Sequence, residues 1–292
     1  MARRLGGGCV RRPSFLLFGV CALLLTAGPL VGQEDPVDAP GISLPGELRT
    51  TEPPDVPFGP GEDLLYQVKL GIFSVGEGHL RVLPRDTIRG RRVYPLELTL
   101  DGSAMFGTLK VRDLFQSWMD VHTLSSLRFR KDQHEVSYKS RKWYEIYPEE
   151  QRWERAEPDV DESGETLTDQ PLDEIGFLFF IRTLDLEVGE EYSFDHYFKD
   201  DGNPVVLKVL RREVKEVPAG TFRTIVVQPI IQTDGLFSEG GEAEVFLTDD
   251  DEKHIVHLRS NIPVVGSISL NLKRISDPSS EGLDSRITGD GG

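Results

Sequence analysis

Between Asp169 and Leu186 the chain carries a stretch that a surface helix would not tolerate: Asp-Gln-Pro-Leu-Asp-Glu-Ile-Gly-Phe-Leu-Phe-Phe-Ile-Arg-Thr-Leu-Asp-Leu. Leu172, Ile175, Phe177, Leu178, Phe179, Phe180, Ile181 and Leu184 fall on nearly every side of a helical wheel. A helix apolar all round is buried, not amphipathic. Start signals precede it. Asp169 suits the cap, Pro171 suits the first helical position, and Asp173 and Glu174 favour the positive end of the helix dipole. These signals predict one buried helix near 170–185, a plug against which the rest of the chain must pack.

Almost everything else has the period of a strand. Leu64, Tyr66, Val68 and Leu70 alternate with Leu65, Gln67 and Lys69. Val75 to Leu83 returns, with Gly76 and Gly78 marking a bulge or a close backbone approach. Tyr94, Leu96, Leu98 and Leu100 share one face, as do Leu109, Val111, Phe115 and Met119. Shorter strands are predicted at Leu127–Lys131, Glu135–Tyr138, Lys142–Tyr147 and Gln151–Arg155. After the helix come Tyr192–Phe198, Val205–Val217, Phe222–Gln232, Glu242–Thr248, His254–Ser260 and Val264–Arg274. Asp200-Asp201-Gly202-Asn203 and Pro218-Ala219-Gly220-Thr221 read as turns. The fold class that follows is mainly β: a large curved antiparallel sheet, or open barrel, of about a dozen strands around one buried helix.

The ends of the chain read differently. Residues 1–32 resemble a secretory signal, with Arg3, Arg4, Arg11 and Arg12 before the apolar run Phe15–Ala27 and a cleavage zone at Gly28–Gly32. That run is too short to span a bilayer comfortably. Cys9 and Cys21 both leave with it, and neither makes a lipobox. The mature chain then has no thiol, which excludes disulfides, thiol nucleophiles and cysteine metal sites. Loss of four arginines and no acid leaves 29 basic against 49 acidic side chains, a net charge of −20. Such a surface repels nucleic acid and anionic membranes. Residues 33–57 form an acidic, Pro-rich disordered linker and 276–292 a disordered tail, so residues 58–275 make a single β-rich domain.

No motif for chemistry survives inspection. His254 and His257 are three apart on an expected strand and point to opposite faces. Asp159–Glu165 starts like a calcium loop, but Gln170 stands where a bidentate Glu is needed. Asp249-Asp250-Asp251-Glu252 fits a hairpin tip. There is no nucleophile elbow, phosphate loop or dinucleotide fingerprint. No catalytic residue, metal or cofactor is expected. Trp118, Trp143, Trp153, Tyr144 and Tyr147 can line a sugar or lipid groove, or pack as ordinary strand aromatics. Arg182 is the one charge on the apolar helix. Either it reaches water or an acid such as Asp185 or Glu187, or it marks a cavity mouth and meets an anionic head group.

An ordered set of segments carries a family resemblance. Gly61-Glu62-Asp63-Leu64-Leu65-Tyr66, Gly71-Ile72 and Val75-Gly76-Glu77-Gly78 open it. Val111-Arg112-Asp113-Leu114-Phe115-Gln116-Ser117-Trp118-Met119-Asp120 follows, then Pro171-Leu172 with Phe179-Phe180-Ile181-Arg182 and Gly189. Val217-Pro218-Ala219-Gly220-Thr221-Phe222 and Phe246-Leu247-Thr248-Asp249-Asp250 complete it. Together they resemble a bacterial exported family known only as a domain of unknown function, DUF3108. The resemblance implies export and a sheet-around-helix plan similar to that of periplasmic lipoprotein carriers, and no catalytic residue. The functional expectation is a non-enzymatic protein of the periplasm or cell envelope. It binds a hydrophobic or lipid-like ligand between sheet and helix, with Phe177, Phe180, Ile181, Arg182 and Trp118 as the candidate lining. The alternative is a structural or interaction module with a fully packed barrel, meeting another envelope protein and no ligand.

Overall fold

The computed structural model describes residues 52–104, 109–134, 139–231, 243–262 and 266–276. The expected signal, residues 33–51 of the expected linker, the tail from 277 and the strand expected over Glu135–Tyr138 lie outside them.

Alternation dictates strands, and strands dominate. The first half supplies β1 (Asp63–Leu70), β2 (Phe73–Val82), β3 (Asp86–Ile88), β4 (Arg91–Ala104), β5 (Leu109–Asp120), β6 (Ser126–His134), β7 (Lys139–Tyr147), β8 (Arg152–Arg155) and β9 (Ser163–Glu165). The helix α1 (Glu174–Phe180) follows. Then come β10 (Glu191–Phe194), β11 (Val205–Val217), β12 (Gly220–Ile230), β13 (Glu244–Thr248), β14 (Ile255–Ile262) and β15 (Gly266–Ser276). All belong to one antiparallel sheet, ordered β10-β11-β12-β13-β14-β15-β1-β2-β4-β5-β6-β7-β8-β9, with β3 paired on β4. The path does not close, since β9 and β10 stand at its two ends. The β1–β15 ladder, from Asp63 opposite Ser276 to Leu70 opposite Ile268, joins the two halves of the chain.

Burial follows the sequence periodicity. In β1 Leu64, Tyr66 and Val68 are buried and the residues between them are not. In β15 Leu270 and Leu272 face in while Lys273 faces water. Gly76 is where two backbones touch: a Cβ there would sit 2.1 Å from the Asp101 carbonyl oxygen. The β1–β2 register shifts beside it, between Val68 and Lys69. The bulge or close approach read from Gly76 is therefore both.

The helix is shorter than its sequence signals predict, and its cap is different. Asp173, not Asp169, caps it, and Pro171 precedes it instead of opening it. The reason is that Pro171 and Leu172 are already committed to extended pairing. The Ser126 amide donates to the Pro171 carbonyl at 2.7 Å. The Leu172 amide donates to His196 O at 2.5 Å, and the Phe198 amide to Leu172 O at 3.0 Å. The same pairing ends β10 at Phe194, although the pattern predicts a strand to Phe198. This seam bridges the start of β6 and the segment after β10. Phe198 locks it, with its ring centroid 5.0 Å from Tyr144, 6.0 Å from Trp153 and 6.1 Å from Phe129. One continuous apolar core runs from Phe58 and β1 through α1 to Leu272. Val56 also packs on it.

Candidate functional site

The first turn of α1 is anchored by a buried carboxylate. Asp173 Oδ1 accepts the Ile175 and Gly176 amides at 2.9 and 2.8 Å, satisfying two of the helix's orphan donors. Its own amide donates to Ser126 Oγ at 3.1 Å. Burial pushes the Asp173 carboxyl up to about 7, against the opposing pull of the Ser117 hydroxyl and the Gly176 amide. Gly176 lets this turn lie on the sheet, because a Cβ there would come 2.7 Å from Ser126 Oγ and 3.5 Å from Ser117 Oγ.

The last turn is anchored by a buried cation. Arg182 is fully buried and so is Glu62, at the head of β1. The guanidinium donates through Nη1 to Glu62 Oε1 at 2.6 Å and through Nη2 to Oε2 at 2.9 Å. Nη2 also donates to the carbonyls of Pro57 at 2.7 Å and Glu252 at 3.1 Å. The rings of Phe58 and Phe179 lie 5.5 and 5.4 Å from the guanidinium carbon. His254 Nε2 sits 3.8 Å from Glu62 Oε2, and burial, reinforced by Arg182, holds its imidazole below the usual histidine range. Arg182 thus neither snorkels nor pairs with Asp185 or Glu187. Both terminal nitrogens are spent on protein groups and only the buried Nε lacks a partner, which leaves no free fork for a head group. The pairing was not readable from local spacing, since Glu62 is 120 residues away.

The candidate lining divides into two places. Phe177, Phe180 and Ile181 are 2%, 3% and 0% exposed, packed from all sides. The gap bounded by Leu124, Leu172, Phe180 and His196 has no room for a water molecule. Trp118 is not with them. Met119 and Ser117 of β5 face the interior, Ser117 beside Gly176, so Trp118 faces the opposite side of the sheet. There it packs on a small separate cluster of Ile88, Val93 and Leu127. The other aromatics split in the same way: Tyr144 and Trp153 are core, whereas Trp143 and Tyr147 of β7 point outward.

Beside Trp118 is an open pocket of about 310 Å³, walled by Leu83, Pro84, Arg85, Asp86, Pro95 and Gln116. Its β2–β4 connection carries no motif that sequence reasoning singles out. The aromatic on β5 was the only available signal.

Among the described residues no three His, Asp or Glu side chains gather to hold a metal ion. His257 packs edge-on against Phe246 at 4.8 Å, apart from His254, and burial with Lys215 nearby pulls it down to about 4. Asp249 and Asp250 serve their turn: Asp249 accepts from Arg212, and Asp250 from Thr248 Oγ1 and the Lys253 amide. No helix among the described residues is long and apolar enough to cross a membrane.

No curated protein matches the chain. Distant structural likenesses exist. A beta-barrel-like protein of the domain of unknown function DUF1849 from Brucella abortus is 9% identical, with a TM-score of 0.46, covering 74% of this chain and 97% of that one. A hypothetical protein from Chlamydia trachomatis is 6% identical, with a TM-score of 0.33, covering 75% and 87%. The sequence itself is more decisive. Apart from Gly61-Glu62-Asp63-Leu64, the ordered segments noted above fall within one family match over residues 65–273, and the chain belongs to that family, Protein of unknown function (DUF3108).

Proposed function

We propose that this chain is an exported, non-catalytic protein of the cell envelope that acts through its surface, as a structural or interaction module. One observation carries the reading. Ile175 and every side chain from Phe177 to Ile181 are at most 3% exposed, so the face on which a hydrophobic ligand would lie is already covered by protein. The Arg182–Glu62 pair supports it by occupying the charged group of the candidate lining. Export rests on the basic, apolar and small-residue order of residues 1–32. The non-catalytic reading rests on the sequence, which carries no nucleophile elbow, phosphate loop or dinucleotide fingerprint.

The test is fractionation followed by native mass spectrometry of the protein taken from an envelope fraction. The expected species begins just after residues 28–32 and carries no lipid adduct, with or without mild detergent. A full-length chain in the cytoplasm overturns export. A stoichiometric lipid adduct overturns the packed interior and restores ligand carriage between sheet and helix.

A further inference from the structure

The outer face of the first half-sheet is not an ordinary wet face. Two rows of outward side chains run straight across it in register. Arg81 of β2, Glu97 of β4, Gln116 of β5, Arg130 of β6 and Trp143 of β7 are successive cross-strand partners. Beside them Pro95, Trp118, Arg128 and Glu145 make a second row. Side chains opposite one another in a ladder contact directly, so these rows form a continuous belt of aromatic rings and planar hydrogen-bonding groups. The pocket of about 310 Å³ opens where the belt meets the β2–β4 connection. That volume is at the small end of ligand sites.

The walls of the pocket are held in place before any ligand arrives. Trp118 is seated on Ile88, Val93 and Leu127. Arg128 lies 5.5 Å from its ring and is itself held by Glu145 at 2.6 Å. Gln116 donates its amide to Glu97 Oε2 at 2.9 Å, and Arg81 fixes the other oxygen of Glu97 at 2.6 Å. Arg85 stands over Tyr94 at 5.2 Å and donates through one Nη to its hydroxyl at 3.3 Å, which leaves its other N–H groups for a ligand. Asp86 spends one oxygen on the Thr87 amide at 2.7 Å and is otherwise exposed. Preorganisation of this kind removes the ordering cost that a ligand would otherwise meet.

The chemistry of the walls selects the ligand. One guanidinium and one carboxylate stand side by side at the mouth, so the rim has both a donor and an acceptor and no net charge. Such a rim suits hydroxyl groups, each of which donates and accepts. The carboxylate repels a phosphate, and a rim of this polarity leaves a fatty chain's neighbours unsatisfied. The indole and Pro95 offer a flat apolar wall of the sort that covers the C–H face of a sugar ring. We propose that this pocket is a glycan subsite that takes one uncharged pyranose unit, with Trp118 as the platform and Arg85, Asp86 and Gln116 as the hydroxyl contacts. The inference does not depend on the packed interior, because the pocket lies on the opposite side of the sheet from α1.

The test is titration of the purified chain with soluble neutral tetrasaccharides of glucose, mannose and N-acetylglucosamine, followed by the indole N–H resonance of Trp118 and by saturation-transfer from protein to sugar. Wild type is expected to bind at least one of them with a dissociation constant of about 1 mM or tighter. W118A is expected to weaken that binding more than about tenfold. Because Trp118 also covers Ile88 and Val93, D86A and R85A serve as exposed companions. Each should weaken binding about threefold to tenfold, D86A with an unchanged melting temperature and R85A with at most a small drop from its lost bond to Tyr94. Binding by none of the three sugars at about 10 mM overturns the proposal. So does sugar binding that D86A, R85A and W118A all leave intact, or displacement of the sugar by inorganic phosphate or dodecanoate.

Discussion

At the scale of single residues the decisive contact is Arg182 with Glu62. A lone arginine in an apolar helix announces itself in the sequence, but the identity of its partner does not. The nearby acids Asp185 and Glu187 are exposed, beyond the point where the chain leaves the helix at Leu184. The partner instead comes from the head of β1, brought there by a sheet whose order no local pattern encodes. A fully buried pair is costly to desolvate, and removing one member strands the other. The expected outcome is that R182M and E62Q each lower the unfolding free energy by about 3–5 kcal/mol in urea titrations. The double variant R182M/E62Q should lose much less than the sum of the two. Strict additivity would mean that the guanidinium is held by the Pro57 and Glu252 carbonyls and the two flanking rings, with Glu62 a bystander.

At the scale of elements the strands were far more legible than the helix. Val205–Val217 is a strand over the same residues that its pattern predicts, because period-two burial depends only on one face meeting the core. Helix limits depend on which backbone groups remain free. Pro171 and Leu172 have none to spare, so α1 begins after Asp173. What survived from the sequence was burial on every side, which needs no boundary. The cap itself makes a prediction. Asp173 is raised to about 7 in the fold, while an unfolded Asp titrates near ~3.9. Between those values the folded state holds a proton that the unfolded state has lost. The contribution of Asp173 is therefore fully present below about pH 4 and is lost as pH rises through about 7. D173N keeps the Oδ1 acceptor without the buried charge. Its stability relative to wild type should rise steadily from pH 4 to pH 8, by a few kcal/mol at the top, whereas D173A should lose about 1–2 kcal/mol of capping at pH 4. Parallel pH curves for wild type and D173N would show that the carboxyl ionises freely.

At the scale of the whole molecule, sequence periodicity tells which face of each strand is dry but not which strands are neighbours. Trp118 illustrates the cost. It was recognisable as an aromatic on β5, yet only the register, with Ser117 against Gly176, shows that it lies on the far side of the sheet from Phe177 and Phe180. The first and last strands pair in the β1–β15 ladder, and the Leu172–Phe198 seam ties the segment after β10 to the start of β6. One core then spans both halves. A structure built this way should unfold as a unit. The expected result is a single urea transition, coincident by far-UV circular dichroism and by tryptophan fluorescence, which samples buried Trp153 and half-buried Trp118 and Trp143 together. F198A removes the ring shared by Phe129, Tyr144 and Trp153. It should cost about 3–5 kcal/mol, or roughly 2–4 °C of melting temperature per kcal/mol, while keeping the two probes coincident. Separation of the probes in F198A alone would make the seam the tie that couples two otherwise independent half-sheets. Separation already in wild type would refute a single cooperative core.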